Sequence, residues 1–163
     1  MWQRGVVIEF VAGLDYPMYV VTVADAGTGE RAGCLVGFAT QCSISPMRFL
    51  VCLSRANHTH RVAARSGILA VHALGVGQRD LAALFGEQTG DEVDKFTRCT
   101  WTSGPQGTPL LDECPRRLVG RLLDRFELGD HTGYLLEPVE QTGQAAPTLM
   151  FSAVHDLQAG HPA

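Results

Sequence analysis

Between residues 18 and 74 short apolar, β-branched runs alternate with breaks marked by glycine, proline and small polar residues. That pattern predicts strands joined by tight turns. "MYVVTVAD" (18–25) ends in "AGTGE", a glycine-bearing hairpin turn. "RAGCLVGFATQCSI" (31–44) follows, and Gly33 and Gly37 inside it predict bulges or a close backbone approach. Ser45-Pro46 breaks the run, and "RFLVCLS" (48–54) and "ILAVHAL" (68–74) are the next strands. The stretch between these two changes period and reads as a helix. Asn57 suits its N-cap, "HTHRVAARS" supplies the turns, and Gly67 stands where a C′ glycine belongs.

"QRDLAALFG" (78–86) predicts a second short helix closed by Gly86, followed by a loop region with "DKF", Trp101 and "SGPQGTP". Two long strand candidates fill the C-terminal third, "RRLVGRLLDRFEL" (116–128) and "TGYLLEPVEQT" (132–142), joined by "GDH". The first alternates imperfectly. Arg117, Val119, Arg121, Leu123 and Arg125 share one predicted face; Leu118, Gly120, Leu122 and Phe126 share the other, broken by Asp124. A last apolar piece, "PTLMFSAVHDL", leads to a polar tail. Strands outnumber helices and most neighbours are within hairpin reach. The expected fold is therefore mainly β with short helices, an antiparallel barrel whose openings the helices plug.

Composition narrows this little but usefully. At 163 residues, 45% apolar and 18% charged, the chain is expected to be a single domain, 1–163. Net charge is −4, with no basic block or basic–aromatic stripe, which argues against nucleic acid as a partner. No apolar run approaches a membrane span, and "VVIEFVAG" near the start is too short, and interrupted by Glu9, to be a signal peptide. Five cysteines without a CxxC pair, three of them in or beside strand-like runs, fit reduced core residues. A cytoplasmic location is the expectation.

The strand-to-helix segment 53–67 carries Ser54, Arg55, Asn57, His58 and Thr59 together. A helix start offers free N–H groups to an anion, and these side chains would add donors and one full charge. A plain capped helix with a solvated arginine explains the same residues. The preceding "GCLVGFATQCS" is apolar and opened by glycines, with Thr40, Gln41 and Ser43 gathered at its end. Such a wall suits a flat ring lying against backbone, and wall and cradle together suit a nucleotide-like molecule.

The order of "YPMYVVTV", "GCLVGFATQCSISPMRFLVCLSRANHTH", "ILAVHAL", "DKF", "TPLL" and "GDHTGYLLEPVE" resembles the flavin reductase-like family of FMN-binding split barrels, over about residues 16–151. The resemblance implies an antiparallel split β-barrel, a homodimer, and FMN or FAD reduced by NADH or NADPH. It implies that Val36, Gly37, Phe38, Thr40, Gln41, Cys42 and Ser43 lie along the flavin ring. It places Ser54, Arg55, Asn57, His58 and Thr59 at the phosphate end, Phe96 of "DKF" near the flavin, and His131 of the intact Gly129-Asp130-His131 on the nicotinamide side. Many members carry hydroxyl or amide side chains where this chain has Leu35–Phe38, and an acidic residue where it has Ser45. These departures point to a subgroup.

Hydride transfer between nicotinamide and flavin needs no protein nucleophile, so the expected role of His131 is to hydrogen-bond the nicotinamide or balance charge. A turn histidine closing the hairpin is the plain alternative. His58 and His60 are two apart and point to different sides of a helix, so no metal site is expected. His72 is expected to be a hydrogen-bonded core or interface residue, Trp101 a packing residue, and the arginines of 116–125 a solvated strand face. Three functions follow: an NAD(P)H:flavin oxidoreductase, which would supply a separate monooxygenase; a flavin-holding electron carrier; or a deazaflavin-linked reductase on the same barrel.

Overall fold

The computed structural model describes residues 9–158 and 160. Residues 6–8 of "VVIEFVAG" and most of the polar tail fall outside them. Among the described residues nine strands form: β1 (Tyr19–Ala24), β2 (Arg31–Val36), β3 (Ala39–Ile44), β4 (Met47–Ser54), β5 (Ile68–Ala73), β6 (Trp101–Ser103), β7 (Pro109–Leu111), β8 (Arg117–Glu127) and β9 (His131–Thr142). Their α-helices are α1 (His58–Ala63) and α2 (Arg79–Glu87). Seven strands make one antiparallel sheet in the order β2-β1-β5-β8-β9-β4-β3, and β6 and β7 pair separately as a small hairpin. That hairpin occupies the stretch around "SGPQGTP" that reads as loop in the sequence. Gly107, at φ +77°, supplies the turn the pattern hides.

The sheet curls until β2 and β4 face each other, and their inward residues Cys34, Val36, Val51 and Leu53 join Val21, Val71, Tyr134 and Leu136 in one buried core. Helix α1 closes one mouth of this barrel. Its Thr59, Val62 and Ala63 form an i, i+3, i+4 stripe that faces the barrel interior. Asn57 caps it as the sequence predicts, its side-chain oxygen accepting from the Thr59 N–H at 2.9 Å. The helix ends at Ala63, however, so Gly67 lies beyond the C-cap.

A second core lies on the opposite face of β1 and β2. Met18, Val20, Leu74, Leu81, Phe85, Phe96, Leu111, Leu149 and Val154 bury one another there, bringing α2, the hairpin and the C-terminal segment onto the barrel wall. Lys95 ties these layers together from a buried position. Its ammonium donates to the carbonyls of Gly33 on β2 (2.9 Å) and Phe85 on α2 (3.0 Å). His72 is a hydrogen-bonded core residue, fully buried between Val20 O (3.0 Å from Nδ1) and the Leu111 N–H (3.1 Å from Nε2). Trp101 packs against Phe96 and donates to its carbonyl at 3.1 Å.

The two long strands pair along their whole length, but two register shifts interrupt the ladder: the first leaves Val139 of β9 unpaired, the second Leu123 of β8. A bulge re-aims every side chain beyond it. Arg125, beyond the extra residue, therefore leaves the face that Arg117 and Arg121 share. Arg125 donates to the Ala63 and Ser66 carbonyls at the end of α1 (3.0 and 2.9 Å), and Arg121 pairs with Glu137. No helix among the described residues is long and apolar enough to cross a membrane.

Candidate flavin cleft

Where the two cores meet, a cleft of about 270 Å³ opens. One wall is Cys34 to Phe38, the end of β2 and the link to β3; behind it stand Phe85 and Gly86 of α2. Gly37 is the closest approach. A Cβ there would come within 2.5 Å of the Tyr16 ring, so the expected close contact is made by a neighbouring aromatic side chain. Gly33 is likewise pressed against Phe85, at 2.8 Å from a virtual Cβ. Neither glycine makes a bulge; both let β2 lie flat against its neighbours.

The opposite wall comes from the C-terminal segment. Pro17 pairs with Met150, and the Phe151 N–H donates to Tyr16 O at 2.8 Å, which places the Phe151 ring flat on Tyr16 at 4.8 Å and 16°. Asp15 fixes the same junction through Ser152, whose hydrogen bonds hold the Asp15 carboxyl below its ordinary range. Further along, Val154, His155 and Leu157 reach the cleft, and the Arg79–Asp156 pair (2.7 Å) anchors them to α2. Phe38 stands at the mouth, 56% exposed, with its ring 6.1 Å from Tyr16 and 5.2 Å from His131.

The third side is polar. Ser54, the last residue of β4, pairs across the sheet with His131, the first of β9. Gly129, at φ +118°, makes the turn that delivers His131 to that position. His131 Nδ1 lies 2.7 Å from an Asp130 carboxylate oxygen, and this bond keeps the Asp130 carboxyl low. Asn57 follows Ser54 in a tight turn, its N–H donating to Ser54 O at 3.0 Å. Ser54, Asn57, Gln88 and His131 thus edge a cleft that is otherwise mostly apolar.

Of the residues singled out in the sequence, Val36, Gly37, Phe38, Ser54, Asn57 and His131 line this cleft. The others stand elsewhere. Thr40, Gln41 and Cys42 are exposed on the edge strand β3, where Thr40 and Gln41 bond to their own strand's carbonyls. Arg55 turns to the Gly129 carbonyl at 3.5 Å. His58 sits between Glu30 and Asp91, 3.2 Å from each, while His60 on the other side of the helix meets Thr132 at 3.0 Å. Thr59 belongs to the buried stripe of α1, and Phe96 packs in the second core between Phe85 and Trp101. Tyr16, Phe151 and His155 were not anticipated. The only trace of them in the sequence is two aromatics and a histidine in apolar segments at opposite ends of the fold.

The cleft fits a flavin in chemical character: an apolar wall from Cys34 to Phe38, aromatic rings at the mouth, and hydrogen-bonding side chains gathered mainly along one edge. The comparisons agree. A sequence profile described as "Flavin reductase like domain" matches residues 11–155, and the chain belongs to this family of split barrels. It is similar to the FMN reductase (NADH) RutF of Pseudomonas syringae pv. syringae, with 29% identity over 158 residues, 95% of this chain and 87% of that one. A protein of the same description from Methylorubrum extorquens is 32% identical over 139 residues, 84% of this chain but only 66% of its own length. Among solved structures, the NADH:FAD oxidoreductase SgcE6 of Streptomyces globisporus C-1027 superposes with a TM-score of 0.77 at 27% identity, covering 86% of this chain and 83% of that one.

Proposed function

We propose that this chain is an NADH-dependent flavin reductase that binds FMN or FAD in the cleft between its two cores. The observation that carries the reading is the profile match over residues 11–155 of a chain whose cleft has a flavin-like division of apolar wall and polar edge. The relatives support the choice of ligands: two are named FMN reductase (NADH), and SgcE6 has also been solved in complex with NAD and FAD fragments. These names favour the reductase over a carrier or a deazaflavin enzyme.

Flavin and nicotinamide supply the hydride chemistry themselves when bound. The protein's part is to hold, orient and shield. Val36 and Gly37 offer backbone and small side chains to one ring face, in place of the hydroxyl or amide groups of other members. Ser54 and Asn57 supply hydrogen bonds at the polar edge. His131, held by Asp130, faces the same edge from the start of β9 and is placed to hydrogen-bond the nicotinamide. The Tyr16–Phe151 stack and Phe38 exclude water from the mouth.

A homodimer belongs to the same proposal. Leu123, Phe126 and Val139 on the two long strands, with Leu128 just beyond β8, are 42–55% exposed, an apolar face that a second copy would cover. Leu128 lies over Gly133, two residues from His131, so this face is continuous with the cleft edge. The exposed strand β3, with Thr40, Gln41 and Cys42, gains a role at the ring only through such an assembly. Delivery of reduced flavin to a separate monooxygenase is the further step of this proposal. The test is anaerobic: purified protein loaded with FMN and mixed with NADH should bleach the visible flavin band within seconds. Binding without bleaching would reduce the protein to a carrier.

A further inference from the structure

Helix α1 plugs one mouth of the barrel, and the other mouth is an open cleft of about 500 Å³. Its floor is apolar and comes from inward-facing strand residues: Tyr19 and Phe49, whose rings meet edge to face at 5.7 Å, with Val71 and Leu118 beside them. Its rim is cationic. Arg116, just before β8, stands at the lip with no carboxylate within ion-pair distance among the described residues, whereas Arg117 pairs across the sheet with His72 and turns its guanidinium to the opposite face.

Both arginines are held in place by carbonyls. Arg116 Nη1 donates to Ala146 O at 2.9 Å, and Arg117 Nη1 reaches Leu111 O at 3.5 Å. The lip is a built structure. Gly143, at φ +82°, presses onto the Arg116 backbone so closely that a Cβ would lie 2.5 Å from its Cα, and Thr142 Oγ1 donates to Pro115 O at 2.7 Å. Burial pushes the Tyr19 phenol up, while the nearby Arg116 charge pulls it partly back.

From this we infer that the open barrel mouth is a second binding site, for a small carboxylate with an aromatic or branched apolar body. Such a ligand places its body on Phe49, Val71 and Leu118 and its carboxylate between Arg116 and the Tyr19 hydroxyl. A guanidinium matches a carboxylate in two parallel hydrogen bonds, and the low-dielectric floor strengthens the pairing. Barrel mouths are a usual place for ligands of this amphipathic kind. The site shares no lining residue with the flavin cleft and stands independently of the flavin reading.

Benzoate is the probe and benzamide, its uncharged isostere, the comparator. In the FMN-loaded protein, benzoate titration followed by methyl NMR should shift Met47, Val71 and Leu118 saturably, with benzamide at least tenfold weaker. The variant Arg116→Gln should weaken benzoate at least tenfold and leave FMN affinity unchanged. No saturable shift, equal binding of the two compounds, shifts confined to the flavin cleft, or an unaffected variant would each overturn the site. Should the variant not fold, the benzoate–benzamide ratio on the unaltered protein decides alone.

Discussion

The molecule's two openings are made from the same strands and differ in almost everything else. The flavin cleft sits at a seam: Cys34, Val36 and Leu53 come to it from the barrel core, Met18, Phe85 and Val154 from the second core. The barrel mouth rests on the barrel core alone and carries one arginine, Arg116, at its lip. A seam can be shaped by elements far apart in sequence, and here residues 16 and 151 stack to close it. A mouth is shaped by strand ends and the loop that follows them. The first arrangement makes a flat slot with a polar edge; the second makes a bowl with a charged rim.

Acid is expected to strain the layer behind the flavin cleft first and most. Burial holds the His72 pKa down from 6.5 to about 4, against the weaker upward pull of its bond to Val20. Its Nε2 must remain an acceptor for the Leu111 N–H, so only the neutral ring fits. The unfolded chain takes up this proton below pH 6.5 and the folded chain only near 4. Stability is therefore full above about 6.5 and falls progressively down to about 4, by about 3 kcal/mol in all. His60, whose pKa burial and neighbouring arginines also lower, acts in the same direction. Urea unfolding at pH 7 and pH 4.5 measures the slope; equal midpoints would refute a neutral, buried His72.

A more selective break is Gly37→Val. Its side chain must displace a Tyr16 ring clamped between Phe38 and Phe151. Overpacking of this kind costs about 1–3 kcal/mol, so FMN affinity should fall roughly tenfold to a hundredfold while benzoate binding at the other mouth is retained. Equal loss at both openings would mean that the two are not separate. His131→Ala sharpens the account of the cleft itself. Loss of one hydrogen bond to the nicotinamide predicts flavin reduction slower by about tenfold, with FMN affinity little changed, in stopped-flow traces. Asn57→Ala has the smallest expected effect on the fold, about 1 kcal/mol for the lost helix cap, and should weaken FMN binding as well. A melting curve and an FMN titration on one sample separate those two roles.

What the sequence discloses follows the same division. Strands β1, β2, β4 and β5, the Asn57 cap and the hydrogen-bonded core role of His72 are legible because alternation and capping are local properties. The β8 faces are not, since an extra residue at Leu123 re-aims those beyond it without leaving a mark in composition. The polar edge of the cleft, Ser54, Asn57 and His131, is readable as motif residues on adjoining strands. Its aromatic wall is not, because Tyr16 and Phe151 meet only through a single bridge between distant segments. Thr59 and Phe96 show the converse: each lies in a motif, yet the i, i+3, i+4 stripe of α1 and the packing of the second core claim their side chains.

One measurement reaches the central claim most directly. Under anaerobic conditions, with FMN bound to the protein, the visible flavin absorbance is followed after adding one equivalent of NADH. The account predicts rapid, stoichiometric bleaching, slowed in His131→Ala. A flavin that binds in the cleft and keeps its colour with NADH would contradict it.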